Sequence, residues 1–329
     1  MTVAAGDLLI PITPDLRGFH RISSKFAIPS QQLIDWEFAK QNAQFHKRGI
    51  EYQVPAELRA AAAALHHPNY TVTGFAALSL YGLRYFVNAC DTVLAAGPIR
   101  RNAQPSSYHP MLIKGTPPAT DTWTVTCRDK PIRMTTPAVA TVQALKIIRR
   151  GINGWHVLDC GGYEPTFVRA VQLIDACRQL GVDATDVLKA GHARLDRKWL
   201  ADVIEASSEL ADSPKETELR LIIAEIAERF DLVLQEQVPV YLGDEWVTTL
   251  DLALTKPGTD LKLGLMYDGA HHIGQEQWMK DNLINLKCAK AGWDLQRITK
   301  RTLREVYDLV VTLVTRELGL EAEPPGQSG

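Results

Sequence analysis

The sequence has no apolar run near the ~18 residues that a membrane-spanning helix requires. Its opening, MTVAAGDLLIPITPDLRG, lacks the basic and apolar layout of a signal peptide. Five cysteines (Cys90, Cys127, Cys160, Cys177 and Cys288) are scattered with no CxxC pair. That spacing argues against a cysteine zinc site and against a disulfide framework. A reducing, cytoplasmic setting is therefore expected. Charge of one sign is also missing: net charge is −2, so nothing global advertises a polyanionic partner. There is no internal repeat. What remains is an ordinary soluble composition, 46% hydrophobic and 22% charged, in 329 residues, enough for two or three domains.

Locally the charge is uneven. Residues 1–212 carry 23 Lys+Arg against 19 Asp+Glu, and residues 213–320 carry 13 against 17. Within the latter, residues 280–304 hold Lys280, Lys287, Lys290, Arg297, Lys300, Arg301 and Arg304 against Asp281 and Asp294. Such a strip suits phosphate contacts and equally suits a solvated helix face.

Residues 1–30 are punctuated by Pro and Gly without a period and read as an irregular arm. Helices are expected over 31–47, over 55–65 with Pro55 in the first turn, and over 72–83. His66-His67 between the last two read as a surface loop pair rather than ligands. Short strands are expected at 92–97, 111–115, 123–128 and 132–135. Thr136-Pro137 then opens a helix through Arg150 that stops at Gly151, and 165–180 stops likewise at Gly181. Shorter helices are expected over 184–190 and 195–210.

Ser213-Pro214-Lys215-Glu216 marks a new start, and the main domain boundary is expected near Asp212. Leu219, Ile222, Ile223, Ile226 and Phe230 form one apolar helical stripe, with Glu216 beside it. The plain role of Glu216 is a capping box with Ser213. Strands over 232–241, 246–256 and 261–268, a helix over 276–291, a strand over 293–298 and a helix over 302–318 follow. The order α-β-β-β-α-β-α describes a small α/β domain, and the tail EAEPPGQSG is disordered by composition.

The chemistry gathers in residues 247–272, VTTLDLALTKPGTDLKLGLMYDGAHH. Alternation places Asp251 opposite the face of Leu250, Leu252 and Leu254, and Asp268 with Met266 opposite Leu263, Leu265 and Tyr267. A carboxylate at a strand centre is costly to bury and calls for a charged or metal partner, or a solvated face. Glu216, Asp251 and Asp268, with His271 or His272, form a set from which a phosphodiester-cleaving Mg²⁺ site is built. The spacing alone is not specific.

SPKETELRL, QEQVPV, LDLAL, YDGAHH and AGWDLQRIT, in that order, resemble the PD-(D/E)XK nuclease superfamily, and within it the very-short-patch-repair endonucleases and their actinobacterial relatives. The resemblance spans 213–318. It implies a restriction-endonuclease-like fold, a mixed sheet flanked by helices. It also implies metal ligation by Glu216, Asp251 and Asp268 and a base at His271 or His272. One position departs from the pattern: Met266 stands where that family has Glu, and a thioether does not hold Mg²⁺. Either the Met266 backbone carbonyl serves as ligand, or the domain has kept the fold and lost catalysis.

KRGIEYQVP, TVTGFAALSLYGL and IRMTTPAVATVQAL resemble an AbiEi-type antitoxin architecture, which begins with a winged helix-turn-helix. Here Tyr81 replaces a His of its pattern, Ala140-Thr141 occupies its Arg-Thr site, and the helix-turn-helix at 31–54 is degenerate. Lys47, Arg48, Arg100 and Arg101 are the phosphate-contacting candidates of this end.

The expected organisation is thus 1–60 (arm and winged-helix-like segment), 61–212 (AbiEi-like, mainly helical and α+β), 213–320 (nuclease-like) and 321–329 (tail). Two functional expectations stand side by side. One is a DNA endonuclease or nickase of defence or repair, dependent on Mg²⁺ or Mn²⁺ and acting on double-stranded DNA. The other is an inactive, nuclease-derived regulator or antitoxin-like repressor that binds DNA or a cognate toxin protein. A protein-interaction scaffold is the bland third reading. Homodimerisation is left open.

Overall fold

The computed structural model describes residues 2–13, 16–97, 105–268 and 275–320, with the backbone alone for 275–278. Arg100, Arg101, His271, His272 and the tail 321–329 therefore lie outside the described residues. The chain divides into two compact units. One comprises residues 1–157 and 169–209, the other residues 158–168 and 210–329. The expected boundary between residues 60 and 61 is not a unit boundary, because it would cut a continuous helix (Ala56–His66) in two.

In the first unit the opening segment is more ordered than its composition implied. A 3-10 turn (Ala4–Leu8) leads into strands β1 (Ile10–Pro11), β2 (Phe19–Arg21) and β3 (Phe26–Pro29), paired in the order β1-β3-β2. Within 31–54 the one α-helix is α1 (Trp36–Ala43), with the Asp35 carboxylate accepting from Phe38 N–H at its N-terminus. No second helix completes a helix-turn-helix there. Next come α2 (Ala56–His66), β4 (Thr71–Thr73) and α3 (Gly74–Leu80). The helix expected over 72–83 is shortened because β-branched Thr71, Val72 and Thr73 take a strand between two others.

Strands β5 (Val93–Ala96), β6 (Met111–Lys114), β7 (Thr122–Cys127) and β8 (Lys130–Thr135) complete a mixed sheet in the order β6-β5-β4-β8-β7. Helix α4 (Pro137–Arg149) ends at Gly151, whose φ of +60° suits a residue without Cβ. Helices α5 (Pro165–Gln179), α6 (Ala184–Gly191) and α7 (Arg197–Glu205) follow.

The second unit has the order read from its sequence: α8 (Pro214–Phe230), β9 (Val233–Leu242), β10 (Glu245–Thr255), β11 (Lys262–Asp268), α9 (Gln275–Lys290), β12 (Asp294–Thr299) and α10 (Val306–Glu317). The sheet order is β12-β11-β10-β9. β10 is antiparallel to both of its neighbours, β9 and β11, and β12 is parallel to β11. A parallel neighbour requires a crossover, and α9 supplies it. This is an α/β unit with a mixed sheet flanked by helices. Leu250, Ala253, Val240 and Val247 pack with Cys288 of α9, while Leu252 lies with Leu219 and Arg220 of α8.

The five cysteines are buried and free. No described helix is long and apolar enough to cross a membrane.

Candidate functional site

Helix α8 begins as Ser213-Pro214-Lys215-Glu216 predicts. The Ser213 hydroxyl accepts from Glu216 N–H at 3.3 Å and donates to Glu216 Oε1 at 2.8 Å. Glu216 Oε2 reaches back one residue further than a simple capping box, accepting from Asp212 N–H at 2.9 Å. The cap thus fixes the Glu216 carboxylate at the helix N-terminus. One turn along, Lys215 holds the fully buried Glu218 with contacts of 2.9 and 2.7 Å to its two oxygens.

Asp251 sits at the middle of β10, where the pairing with both neighbours lapses. The β10–β11 ladder stops at Leu252–Leu265, and Asp251 Oδ2 instead accepts from Tyr267 N–H at 2.6 Å. On the other side, Gln237 and Asp251 lie between the Glu236–Leu252 and Val238–Leu250 pairs without pairing themselves. Gln237 takes a φ of +51°, a left-handed conformation rare outside glycine, and its amide donates to Asp251 Oδ1 at 3.4 Å. The alternation expected of β10 breaks here. Leu250 joins Ala253 on the α9 side, while Leu252 lies on the α8 side beside Asp251. The leucines at 250 and 252 therefore do not share the face that strict alternation assigned them.

Glu216 and Asp251 line one niche together with Arg220, Glu236 and Gln237. Its volume is about 10 Å³, on the order of a single water-sized sphere. Arg220 pairs with Glu236 at 3.5 Å, so three carboxylates face one guanidinium. Burial pushes the Glu216 carboxyl above the ordinary range, its two hydrogen bonds oppose this, and the charges of Asp251 and Asp212 add to the rise. The Asp251 carboxyl is raised in the same way, by burial first and then by the charges of Asp268 and Asp212, against its bonds from Tyr267 and Gln237.

The other expected ligands are placed elsewhere. Both Asp268 oxygens accept from Arg297 Nη1, at 3.1 and 3.2 Å, and Arg297 Nη2 pairs with Asp281 at 3.2 Å. The expected ligand Asp268 and the expected phosphate contact Arg297 thus neutralise one another across the β11–β12 pair. Met266 packs its side chain with the apolar layer against α9, its sulfur 3.9 Å from the Thr248 hydroxyl. Among the described residues no group of three or more His, Cys, Asp or Glu is arranged to hold a metal ion.

Of the remaining basic strip, Lys287 pairs with Glu245, and Lys280, Lys290, Lys300, Arg301 and Arg304 are exposed. In the first unit Lys47 is exposed, whereas Arg48 is engaged with the buried Asp91 at 3.2 Å. The residues that sequence reasoning passed over are Gln237 and the Lys215–Glu218 pair. Lys215 and Glu218 stand three apart on one helix, a spacing that announces the pair. The backbone reversal at Gln237 has no local sequence signal.

Compared with known protein families, curated proteins and solved structures, the chain matches none.

Proposed function

We propose that this is a DNA-binding protein whose second unit is a restriction-endonuclease-like domain. In this reading it acts as a Mg²⁺- or Mn²⁺-dependent endonuclease or nickase on double-stranded DNA. The observation that carries the reading is the convergence of Glu216 and Asp251, from a helix start and a strand centre 35 positions apart, on one acidic niche. Two partly buried carboxylates with an excess of negative charge are a costly arrangement that a divalent cation relieves.

The donor set fits such an ion, because Mg²⁺ is commonly held by one or two carboxylates and completes its shell with water and substrate phosphates. Glu216 and Asp251 would hold it, with the Met266 backbone carbonyl as a third oxygen. When bound, the ion supplies Lewis acidity and an acidified attacking water. The chain's own residues do the positioning: Tyr267 N–H and the Gln237 amide orient Asp251, and Ser213 with Asp212 N–H orients Glu216. Asp268 in this reading holds Arg297, and His271 or His272 remains the proposed base. Lys280, Lys290, Lys300, Arg301 and Arg304 contact the DNA backbone.

The Asp268–Arg297 pair and the Met266 side chain in the apolar layer favour the second reading, an inactive regulator or antitoxin-like repressor that binds DNA or a toxin protein. Cleavage of supercoiled plasmid in Mg²⁺ or Mn²⁺ tests the choice. Nicked or linear product from wild type and none from Asp251→Ala supports the enzyme. DNA bound without turnover, with cleavage appearing only in Met266→Glu, supports the regulator. Absence of DNA binding at low salt removes the enzyme and the DNA-binding regulator, and leaves only a regulator that acts through a toxin protein.

A further inference from the structure

The first unit contains a cleft of about 560 Å³ that the reading above does not use. Its walls carry two guanidiniums, Arg21 and Arg59, and three imidazoles, His66, His67 and His109, together with serine and threonine hydroxyls. No carboxylate lines it among the described residues. Such a wall is unusual, because exposed basic groups are ordinarily interspersed with acidic ones.

Arg59 makes the bias a fixed one. It is 6% exposed, and its hydrogen bonds go to neutral acceptors: the carbonyls of Val54 (2.9 Å), Cys90 (3.0 Å) and Asn88 (3.0 Å) and the Thr92 hydroxyl (3.1 Å). Asp91 and Glu57 lie within its electrostatic reach. The Asp91 oxygens, however, are already engaged by His46 (3.0 Å), Tyr52 (2.6 Å) and Arg48 (3.2 Å). A buried cation held by dipoles leaves positive potential in the cleft beside it.

The histidines are organised rather than loose. His66 stacks on His67 with centroids 4.6 Å apart, His67 stacks on Tyr70 at 5.1 Å, and His109 Nδ1 is held by Ser106 Oγ at 2.9 Å. Burial, and after it the charge of Lys25, pushes His66 below the ordinary imidazole value; His67 is pushed down by burial first, then by His66 and then by Lys25. An anion in the cleft beside the stacked pair favours their protonated forms. Among the described residues these three histidines form no metal-holding group.

We propose that this cleft binds the phosphoryl group of a small phosphorylated molecule, clamped by Arg21, His66, His67 and His109 above the buried Arg59. The volume suits a nucleotide-sized ligand, whereas a duplex backbone calls for an extended surface. The inference is independent of the acidic niche in the second unit.

Calorimetry on the full chain tests it with three probes: inorganic phosphate, AMP, and adenosine as the uncharged control. Binding of phosphate or AMP, with adenosine at least tenfold weaker, is the expected result. A phosphate response without AMP assigns free phosphate as the source, and an AMP response assigns a phosphate ester. Arg21→Ala and His67→Gln, at the rim and clear of the buried network, should each weaken that binding tenfold or more while the melting temperature holds. The proposal is overturned if neither phosphate nor AMP binds at millimolar concentration, if adenosine binds as well as AMP, or if both variants bind as tightly as wild type.

Discussion

Gln237 of β9 faces Asp251 of β10 in a left-handed conformation and donates its side-chain amide to the Asp251 carboxylate at 3.4 Å. A non-glycine residue held there costs roughly 1–2 kcal/mol, a strain tolerated where surrounding structure enforces it and characteristic of functional sites. Leu250 and Leu252 of the facing strand lie on different sides of the sheet at the same place.

Gln237→Gly relaxes the backbone and loses the hydrogen bond, whereas Gln237→Ala loses the bond and keeps the strain. Urea denaturation should therefore find the Gly variant more stable than the Ala variant by about 1 kcal/mol. An Ala variant as stable as the Gly variant would show that φ at this position carries no strain.

Arg297 and Lys300 are neighbours in sequence with different predicted roles. Arg297→Gln removes the guanidinium that pairs with Asp268 and with Asp281 and should cost about 1 kcal/mol of stability, a modest figure because all three side chains are partly solvated. It should leave the salt dependence of DNA binding unchanged. Neutralising Lys300 and Arg301 together should do the reverse, reducing the log–log salt slope by about 2 with no loss of stability. Exchange of these two outcomes would reassign the phosphate contacts.

In the first unit, the Asp91 carboxylate is a buried hub. Burial alone would raise it, but hydrogen bonds with His46 and Tyr52 and the charges of His46 and Arg48 outweigh that and hold it below the ordinary carboxylate range. A lowered folded value means stability that is present above the unfolded value and lost as pH falls through the folded one. Asp91→Asn should cost about 3 kcal/mol at pH 6, as for breaking a buried pair, and the deficit should shrink below about pH 4. A deficit that stays constant from pH 6 to pH 3 would mean that Asp91 acts through shape rather than charge.

Much of this was legible in the chain, and the reason is locality. Thr136-Pro137 with Gly151 marks α4, and Ser213-Pro214 with Glu216 marks α8, because caps act within one turn. The three antiparallel strands β9, β10 and β11 announce themselves through alternation and the turns between them. Non-local features stayed hidden. The short β1, β2 and β3 exist through pairing with each other rather than through propensity. The capture of Asp268 by Arg297 depends on the β11–β12 register, which aligns Met266 with Arg297 and Asp268 with Thr299. The niche itself joins α8 to β10 and needed a backbone reversal at Gln237 that no residue type demands.

Asp251 gives the opposite pH signature to Asp91. Its folded value is raised, chiefly by burial, so the ionised carboxylate destabilises the metal-free fold, and stability falls as pH rises from the unfolded value through the folded one. In EDTA at pH 7, Asp251→Asn should therefore melt at or above the wild-type temperature, since the Asn oxygen still accepts from Tyr267 N–H. The advantage should vanish below about pH 4, where both states of the wild type are protonated. A variant that melts well below wild type at pH 7 would mean that the carboxylate charge is structural.

Whether Glu216 and Asp251 form a divalent-cation site is decided by calorimetric titration with Mg²⁺ and Mn²⁺. One ion should bind per wild-type chain, with binding lost in Asp251→Asn and tightened in Met266→Glu. Heat that is identical in wild type and Asp251→Asn, or binding seen in Met266→Glu alone, would contradict a live site.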